Sequence, residues 1–199
     1  MPTVTIHIAG RGTRLADGSP SMAGHMWIGL ENGTTVHSYG FGPAGAYEGQ
    51  PFAPGRFYDD DHETYPARHY QKRIAISASQ YEAMRDFGRE PARYGFASYY
   101  NGFTNSCVHF AWKMLEHGGL NPTHYEGDVW PTNNIDHADT IDRPDGRDVA
   151  GPARAGTGAR LWQWLRPLSQ WWVIRIVVGL VRAAVTRPWP GIVVGRAAA

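Results

Sequence analysis

GHMWIGLENGTTVHSYGF, residues 24–41, contains two short runs of mainly apolar and aromatic residues, His25–Leu30 and Thr35–Phe41. The pair Asn32-Gly33 lies between them, and Asn-Gly is typical of the tight turn that joins two antiparallel strands. The stretch therefore predicts a β-hairpin, around which the other elements can be placed.

The flanking sequence predicts further strands and helices. Thr3–Ala9 and Arg73–Ile76 have the composition of strands, and residues 42–68, rich in Gly, Pro and acidic groups, predict a long loop. Ser79 is the expected N-cap of a helix that ends near Pro91. Mixed strands and helices in this order predict an α+β fold.

Length and charge limit the classes of protein. A chain of 199 residues with a net charge of +1 can bury one core and lacks the strong positive charge of a nucleic-acid binder. We expect one domain at residues 1–130, a flexible Asp-, Pro- and Gly-rich linker at 131–159 and a hydrophobic, Arg-bearing helical tail at 160–199. The N-terminus does not have the pattern of a cleavable signal peptide.

The tail leaves two interpretations open. Residues 161–185 are dense in Trp, Leu, Ile and Val, but Arg166, Arg175 and Arg182 interrupt them, so no uncharged run is long enough to span a bilayer. Arg175 and Arg182 fall near one side of a helix, which is typical of a helix lying at a membrane surface. Alternatively, the helix packs on the core of its own domain.

The single cysteine, Cys107, opens a predicted helix, Cys107–His117, with Asn105 and Ser106 as candidate N-caps. A thiol attacks as its thiolate, which the positive end of a helix dipole stabilises. Amides at the same helix end can donate to the oxyanion that forms when a carbonyl is attacked. A lone cysteine is more often a buried small apolar residue. We nevertheless predict that Cys107 is a nucleophile, because suitable histidines lie elsewhere in the chain.

Two hairpin histidines, His25 and His37, are candidates for a base and for a residue that orients it. With a strict two-residue Asn32-Gly33 turn, His37 pairs with Ile28 and points away from the face of His25. A three-residue loop with a bulge places both histidines on one side. A joint role for the two histidines requires the second arrangement.

Two motifs carry a resemblance to a known family. Residues 24–30, GHMWIGL, with a second histidine twelve residues after His25, and residues 105–111, NSCVHFA, resemble the circularly permuted NlpC-type papain-like group. The match is most similar to the lecithin:retinol acyltransferase branch and related small phospholipase/acyltransferases, and covers about residues 3–120. Ser106 departs from the pattern, since the family has Asn directly before Cys. Residues 37–43, HSYGFGP, are also similar to bacterial toxin-type members.

The resemblance implies a small antiparallel sheet with packed helices, nucleophile Cys107, base His25 and orienting His37. Together with a tail suited to a bilayer surface, it favours cleavage of glycerophospholipid esters, or acyl transfer, through a thioester. We expect no cofactor and no metal, because no paired ligand spacing such as Cys-x-x-Cys or His-Glu-x-x-His occurs. Phospholipid membrane surfaces or cell-wall peptides would be the partners. A toxin-type member would be exported by a dedicated secretion system, act at a membrane or in the periplasm, and have a cognate inhibitor (immunity) protein.

Two alternatives stay open on the sequence. A peptidoglycan peptide amidase would use the same Cys and His mechanism on a different carbonyl. A membrane-binding or partner-binding module would keep the cysteine and histidines for structure alone. The acidic run from Asp59 to Glu63 lacks the order of a calcium loop and is expected to be a solvated loop.

Overall fold

The computed structural model describes residues 1–141, which form a six-stranded antiparallel sheet with packed helices, an α+β architecture. The sheet order is β5-β1-β2-β3-β4-β6. The strands are β1 (Thr3–Ala9), β2 (His25–Asn32), β3 (Thr35–Pro43), β4 (Phe52–Tyr58), β5 (Tyr70–Ala75) and β6 (Tyr99–Asn101). The helices are α1 (Asp61–Thr64), α2 (Ala78–Arg89), α3 (Cys107–His117) and α4 (Ile135–Asp139), with 3₁₀ turns at Gly45–Tyr47, Pro91–Tyr94 and Pro131–Asn134.

The predicted hairpin is confirmed, with its loop one residue further along the chain than expected. Asn32 pairs with Thr35, so the two loop residues are Gly33 and Thr34. Gly33 takes a positive φ of 62°, a conformation that glycine adopts without steric cost. This register decides which side chains share a face of the sheet.

The prediction of a long loop at residues 42–68 is wrong, because this segment contains β4 and α1. At least one of its glycines serves close packing within a strand. A Cβ at Gly55 would overlap the ring of Phe41, so glycine lets β4 lie close to that side chain. Aromatic residues of β4 complete the packing, with Phe57 4.9 Å from Phe41 between ring centroids.

One face of the sheet carries the apolar core. Alternate residues of β1 and β2 are fully buried there: Val4, Ile6, Ile8, Met26, Ile28 and Leu30. Helices α2 and α3 belong to the same core and contribute Tyr81, Met84, Phe87, Val108, Phe110, Ala111, Trp112, Met114 and Leu115. Burial of this many large apolar side chains is the main stabilising contribution to the fold.

The two long helices begin where their caps dictate. The N-cap of α2 is Ser77 rather than the expected Ser79: its hydroxyl accepts from the Gln80 amide, and the Gln80 side chain accepts from the Ser77 amide. The predicted helix Cys107–His117 is confirmed, with Ser106 as its N-cap residue. Cys107 is thus the first residue of a helix that packs against the sheet.

The fold continues past residue 130, where the sequence predicted its end. Ala138 and Ile141 are buried, and the Tyr70 hydroxyl donates to Asp139 at 2.6 Å. Lys72 donates to the backbone carbonyl oxygens of Ala138 and Asp139. Part of the predicted linker is therefore folded onto β5. The rest of it, from residue 142, and the predicted tail at 160–199 lie outside the described residues.

None of the helices within residues 1–141 is long and apolar enough to cross a membrane.

Candidate active site

Cys107 and His25 lie together at one end of the sheet. β2 begins at His25, opposite Ala9 at the end of β1, and β4 begins opposite Asn101 at the end of β6, just before α3. The thiol of Cys107 lies close enough to the imidazole of His25 to raise the pKa of that histidine. The antiparallel order therefore brings together two residues that are 82 positions apart in the chain.

Asp61, the first residue of α1, is the third member of the cluster. The His25 Nε2–H donates to Asp61 Oδ1 at 2.8 Å, and the Ser38 hydroxyl donates to Asp61 Oδ2 at 2.9 Å. The exposed fractions are 7% for His25, 6% for Cys107 and 3% for Asp61. A Cβ at residue 40 would overlap the carboxylate, so Gly40 leaves room for it.

This geometry assigns the two nitrogens of His25 to different partners. Because Nε2 is bound to Asp61, Nδ1 is the nitrogen left for the thiol. Burial by itself lowers the pKa of His25, but the hydrogen bond to Asp61 and the interaction with Cys107 outweigh burial and raise that pKa well above its usual value of 6.5. The imidazole is therefore in its positively charged form at neutral pH. It lies next to a sulfur that is reactive as a thiolate.

Two aromatic rings fix the plane of this imidazole. The rings of Tyr65 and Trp27 stack with His25 at centroid distances of 5.0 and 5.6 Å and interplanar angles of 22° and 16°. The Tyr65 hydroxyl lies 3.3 Å from the hydroxyl of Ser21. With its ring held in place and Nε2 bound, His25 presents Nδ1 in one direction.

His37 does not join the cluster, and its predicted role as the partner of His25 requires correction. It pairs with Leu30, and residues 25 and 30 of one strand point to opposite faces. The bulged three-residue loop that would have placed both histidines on one side does not form. Asp61 occupies the position in the site that the sequence assigned to His37.

Tyr100 is a second neighbour that sequence reasoning missed. It lies on β6, packs against Phe41 at 5.7 Å between ring centroids, and is near enough to Cys107 for a charge there to act on its phenol. Burial raises the pKa of the Tyr100 phenol, and the negative charge of a thiolate at Cys107 raises it further. A phenol that keeps its proton beside the nucleophile can donate a hydrogen bond to an oxyanion.

The residues before Cys107 set the start of α3. The Ser106 amide donates to His109 Nδ1 at 3.3 Å, so that histidine supports the helix end. The side chain of Asn105 donates to the carbonyl oxygens of Ala97 and Tyr99 and does not cap the helix. Amides of the first turn of a helix have no carbonyl partner within that helix, which leaves them free to donate to a substrate oxygen.

Asp61 had no distinctive signal in the sequence. It belongs to an acidic run with Asp59 and Asp60, which were all expected to be solvated. Only the fold selects one member, because α1 turns this carboxylate towards β2 and β3. Tyr100 was hidden for a similar reason, since β6 has only three residues and no readable alternation.

Within residues 1–141, one surface cleft of about 270 Å³ lies along α3 and another of about 390 Å³ lies beside Trp112 and Leu120. Neither is lined by Cys107 or His25. The chemical cluster rather than the larger cavities marks the candidate site. No group of three or more His, Cys, Asp or Glu side chains suited to a metal ion occurs within residues 1–141.

Comparisons of the chain with protein-family models, with curated proteins and with solved structures returned no match. Its function therefore has to be inferred from the chemistry of the site.

Proposed function

We propose that this chain is a cysteine-dependent acyl hydrolase or acyltransferase with a circularly permuted NlpC-type papain-like fold. The observation that carries the proposal is the buried chain of contacts from Cys107 through His25 to Asp61. A nucleophile at a helix N-terminus, a base within reach and a carboxylate that orients the base make up a complete catalytic triad.

The proposed reaction begins when Cys107 Sγ, as a thiolate, attacks the carbonyl carbon of the substrate. The oxyanion that forms accepts hydrogen bonds from the first-turn amides of α3 and from Tyr100. When the carbonyl carbon loses its bond to the leaving oxygen, the proton of His25 Nδ1 passes to that oxygen. An acyl thioester on Cys107 and a free alcohol result.

Water, or an acceptor alcohol in the transferase reaction, then attacks the thioester. His25 Nδ1 takes the proton of the attacking oxygen, the carbon–sulfur bond breaks, and the acyl group leaves as an acid or a new ester. Asp61 stabilises the imidazolium in both half-reactions and holds Nδ1 towards the sulfur. The thiolate and the imidazolium are restored at the end of the cycle.

We infer a glycerophospholipid ester as substrate from the apolar surroundings of the site. Met22 precedes His25 by three residues and is 71% exposed, and Phe52, at the same end of the sheet, is 42% exposed. Phe103 packs against Phe52 at 5.8 Å between ring centroids. Exposed apolar side chains at the end of the sheet that carries the nucleophile suit a substrate with acyl chains.

A peptide amide, as in a peptidoglycan amidase, is the second candidate. The raised pKa of His25 favours it, because a stored proton is what an amine leaving group needs before the C–N bond can break. Export by a dedicated secretion system and a cognate inhibitor (immunity) protein stay predictions.

The test is mass spectrometry of phosphatidylcholine vesicles incubated with the wild-type chain and with Cys107→Ala. We expect lysophospholipid and free fatty acid with wild type alone, while circular dichroism shows equal helix content in both. Product from the variant as well would overturn the assignment of the nucleophile. Incubation of the same two proteins with muropeptides distinguishes an amidase from a lipase.

Iodoacetamide labelling tests the binding-module alternative on the same protein. A catalytic Cys107 should be alkylated by iodoacetamide in the folded chain, because the thiolate is the form of a cysteine that reacts. Failure to label, together with no product from either substrate, would leave a module without catalysis as the better account.

A further inference from the structure

A second polar cluster lies on the same face of the sheet as His25. The ring of His7 stacks on Trp27 at 4.9 Å with an interplanar angle of 13°, and His62 meets His7 edge-on at 4.7 Å. The Arg68 guanidinium lies 5.5 Å from the centroid of the Trp27 ring. None of these side chains takes part in the proposed reaction, so their arrangement needs another explanation.

The direction of one hydrogen bond determines which nitrogen of His62 carries its proton. Trp27 Nε1–H can only donate, and it donates to His62 Nδ1 at 2.9 Å, so this nitrogen carries no proton. The one proton of neutral His62 then lies on Nε2. His62 Nε2 and His7 Nε2 are each 3.1 Å from the position that a Cβ at Gly29 would occupy. With a proton on Nε2, His62 cannot ligate a metal ion there while it keeps its bond to Trp27.

His62 is also the residue that follows Asp61 in α1. This helix has only four residues, too few to hold its own position, so contacts with other segments must do so. The Ala16 amide donates to the carbonyl oxygen of Thr64, and side chains of α1 bond to the sheet. Trp27 makes the bond at His62, and its ring also stacks on His25 at 5.6 Å. One tryptophan therefore contacts both the catalytic imidazole and the helix that carries its carboxylate.

We propose that the Trp27–His62 hydrogen bond is an acid-sensitive latch that positions Asp61 on His25. When His62 Nδ1 takes up a proton it becomes a donor facing a donor, and the bond to Trp27 breaks. The start of α1 then loses a contact with the sheet beside Asp61, which weakens the hold of that carboxylate on His25. His62 and Trp27 act as positioning residues. The inference rests on the proposed function, because it assigns Asp61 a role in catalysis.

The charges around His62 determine the pH at which the latch opens. The groups that face it from the packed elements are His7, Glu31, Asp61, Glu63 and Arg68. Burial, and then the positive charge of Arg68, lower the pKa of His62, and the three carboxylates only partly oppose them. The latch stays closed at neutral pH and opens below 6.5. Burial and the neighbouring His62 and Arg68 lower the pKa of His7 to about 3, so it remains neutral meanwhile.

The test uses three variants of the full chain: Trp27→Phe, His62→Asn and His124→Asn. Trp27→Phe keeps a ring against His25 but removes the donor. His62→Asn keeps an acceptor near the position of Nδ1 but cannot be protonated in this range. His124→Asn, at an exposed histidine on a different part of the surface, is the matched control for replacement of a histidine by asparagine.

The first readout is the imidazole NMR signal of the His25 proton that faces Asp61, which requires no substrate. In wild type and His124→Asn this signal should disappear as the pH falls below 6.5. In His62→Asn the signal should persist to lower pH. In Trp27→Phe it should be weakened even at neutral pH. Equal pH dependence in wild type and His62→Asn would overturn the latch.

The second readout is the rate of Cys107 alkylation by iodoacetamide against pH, followed by kcat and KM on vesicles. We expect the acid limb of alkylation to move to lower pH in His62→Asn, and Trp27→Phe to lower kcat about tenfold with KM unchanged. If the NMR and alkylation effects appear but no vesicle is hydrolysed, the substrate assignment fails and the latch stands.

Discussion

The two faces of the central sheet are both buried, but they are built from different chemistry. On the first face, aliphatic residues of β1 and β2 meet the apolar sides of α2 and α3. On the second, His7, His25, Trp27 and Ser38 meet α1 and the segment that follows it. Apolar packing tolerates substitutions of similar size, whereas a buried polar network requires every partner. We therefore expect the first face to determine stability and the second to determine activity.

Asp61→Asn breaks the second face and has the largest expected effect. An amide can hold the imidazole in the wrong tautomer and does not stabilise the imidazolium, so kcat should fall by about 10³–10⁴-fold. The free energy of unfolding should change far less. Steady-state kinetics on vesicles, with thermal unfolding as the control, measure both. A fall of less than tenfold would remove Asp61 from the mechanism.

The same variant tests the pH dependence. A histidine whose pKa is raised in the folded state stabilises the fold below 6.5, and that contribution is lost as the pH rises through the folded-state pKa. Removal of Asp61 brings the pKa of His25 down, so the alkaline limbs of both activity and stability should move to lower pH. An unchanged alkaline limb would show that another group titrates there.

Phe87→Ala breaks the first face. Phe87 is fully buried in α2 against the ring of Phe110 at 5.5 Å, and its removal leaves a cavity that costs about 3–5 kcal/mol of unfolding free energy. Urea unfolding followed by circular dichroism measures the loss. At a temperature where the variant is folded, its kcat should match that of wild type within about twofold. A loss of activity without a loss of stability would contradict the division between the faces.

The same division explains what could be predicted from the sequence. Periodic apolar residues on the first face made α3 and the hairpin readable, and with them the positions of Cys107 and His25. The second face depends on a few contacts between distant segments. Nothing local distinguishes Asp61 from Asp59. Gly55, one of the residues that favour a loop at 42–68, instead lets β4 pack closely against Phe41. The exact residues of the hairpin loop could not be predicted from the sequence either. A shift of the loop by one residue changes the residue with which His37 pairs.

Tyr100→Phe sharpens the comparison at the boundary of the two faces. The ring and its packing on Phe41 remain, but the hydroxyl near Cys107 is lost. Loss of one oxyanion donor should lower kcat by about 10²-fold and leave KM and the melting temperature almost unchanged. A rise in KM with kcat preserved would place the hydroxyl in substrate binding instead.

Ser38→Ala should have a smaller effect, because it removes one of two hydrogen bonds to the Asp61 carboxylate. A hydrogen bond to a charged group contributes about 1.5–3 kcal/mol, so kcat should fall by roughly 10- to 100-fold if that energy holds Asp61 in place. Ser38→Thr, which keeps the hydroxyl, is the matched control and should recover most of the activity. Equal losses in both variants would indicate crowding rather than a lost hydrogen bond.

His37→Gln should have the smallest effect and separates the two histidines of the hairpin. His37 pairs with Leu30 and lies on the opposite face of the sheet from His25. Its imidazole therefore cannot contact the imidazole of His25 in this register. We expect kcat, KM and the alkaline limb of the pH profile to match wild type, whereas His25→Gln should abolish turnover. A large loss of kcat in His37→Gln, with normal unfolding, would mean that the hairpin adopts the bulged register in the working enzyme. Asp61 would then share its role with the second histidine.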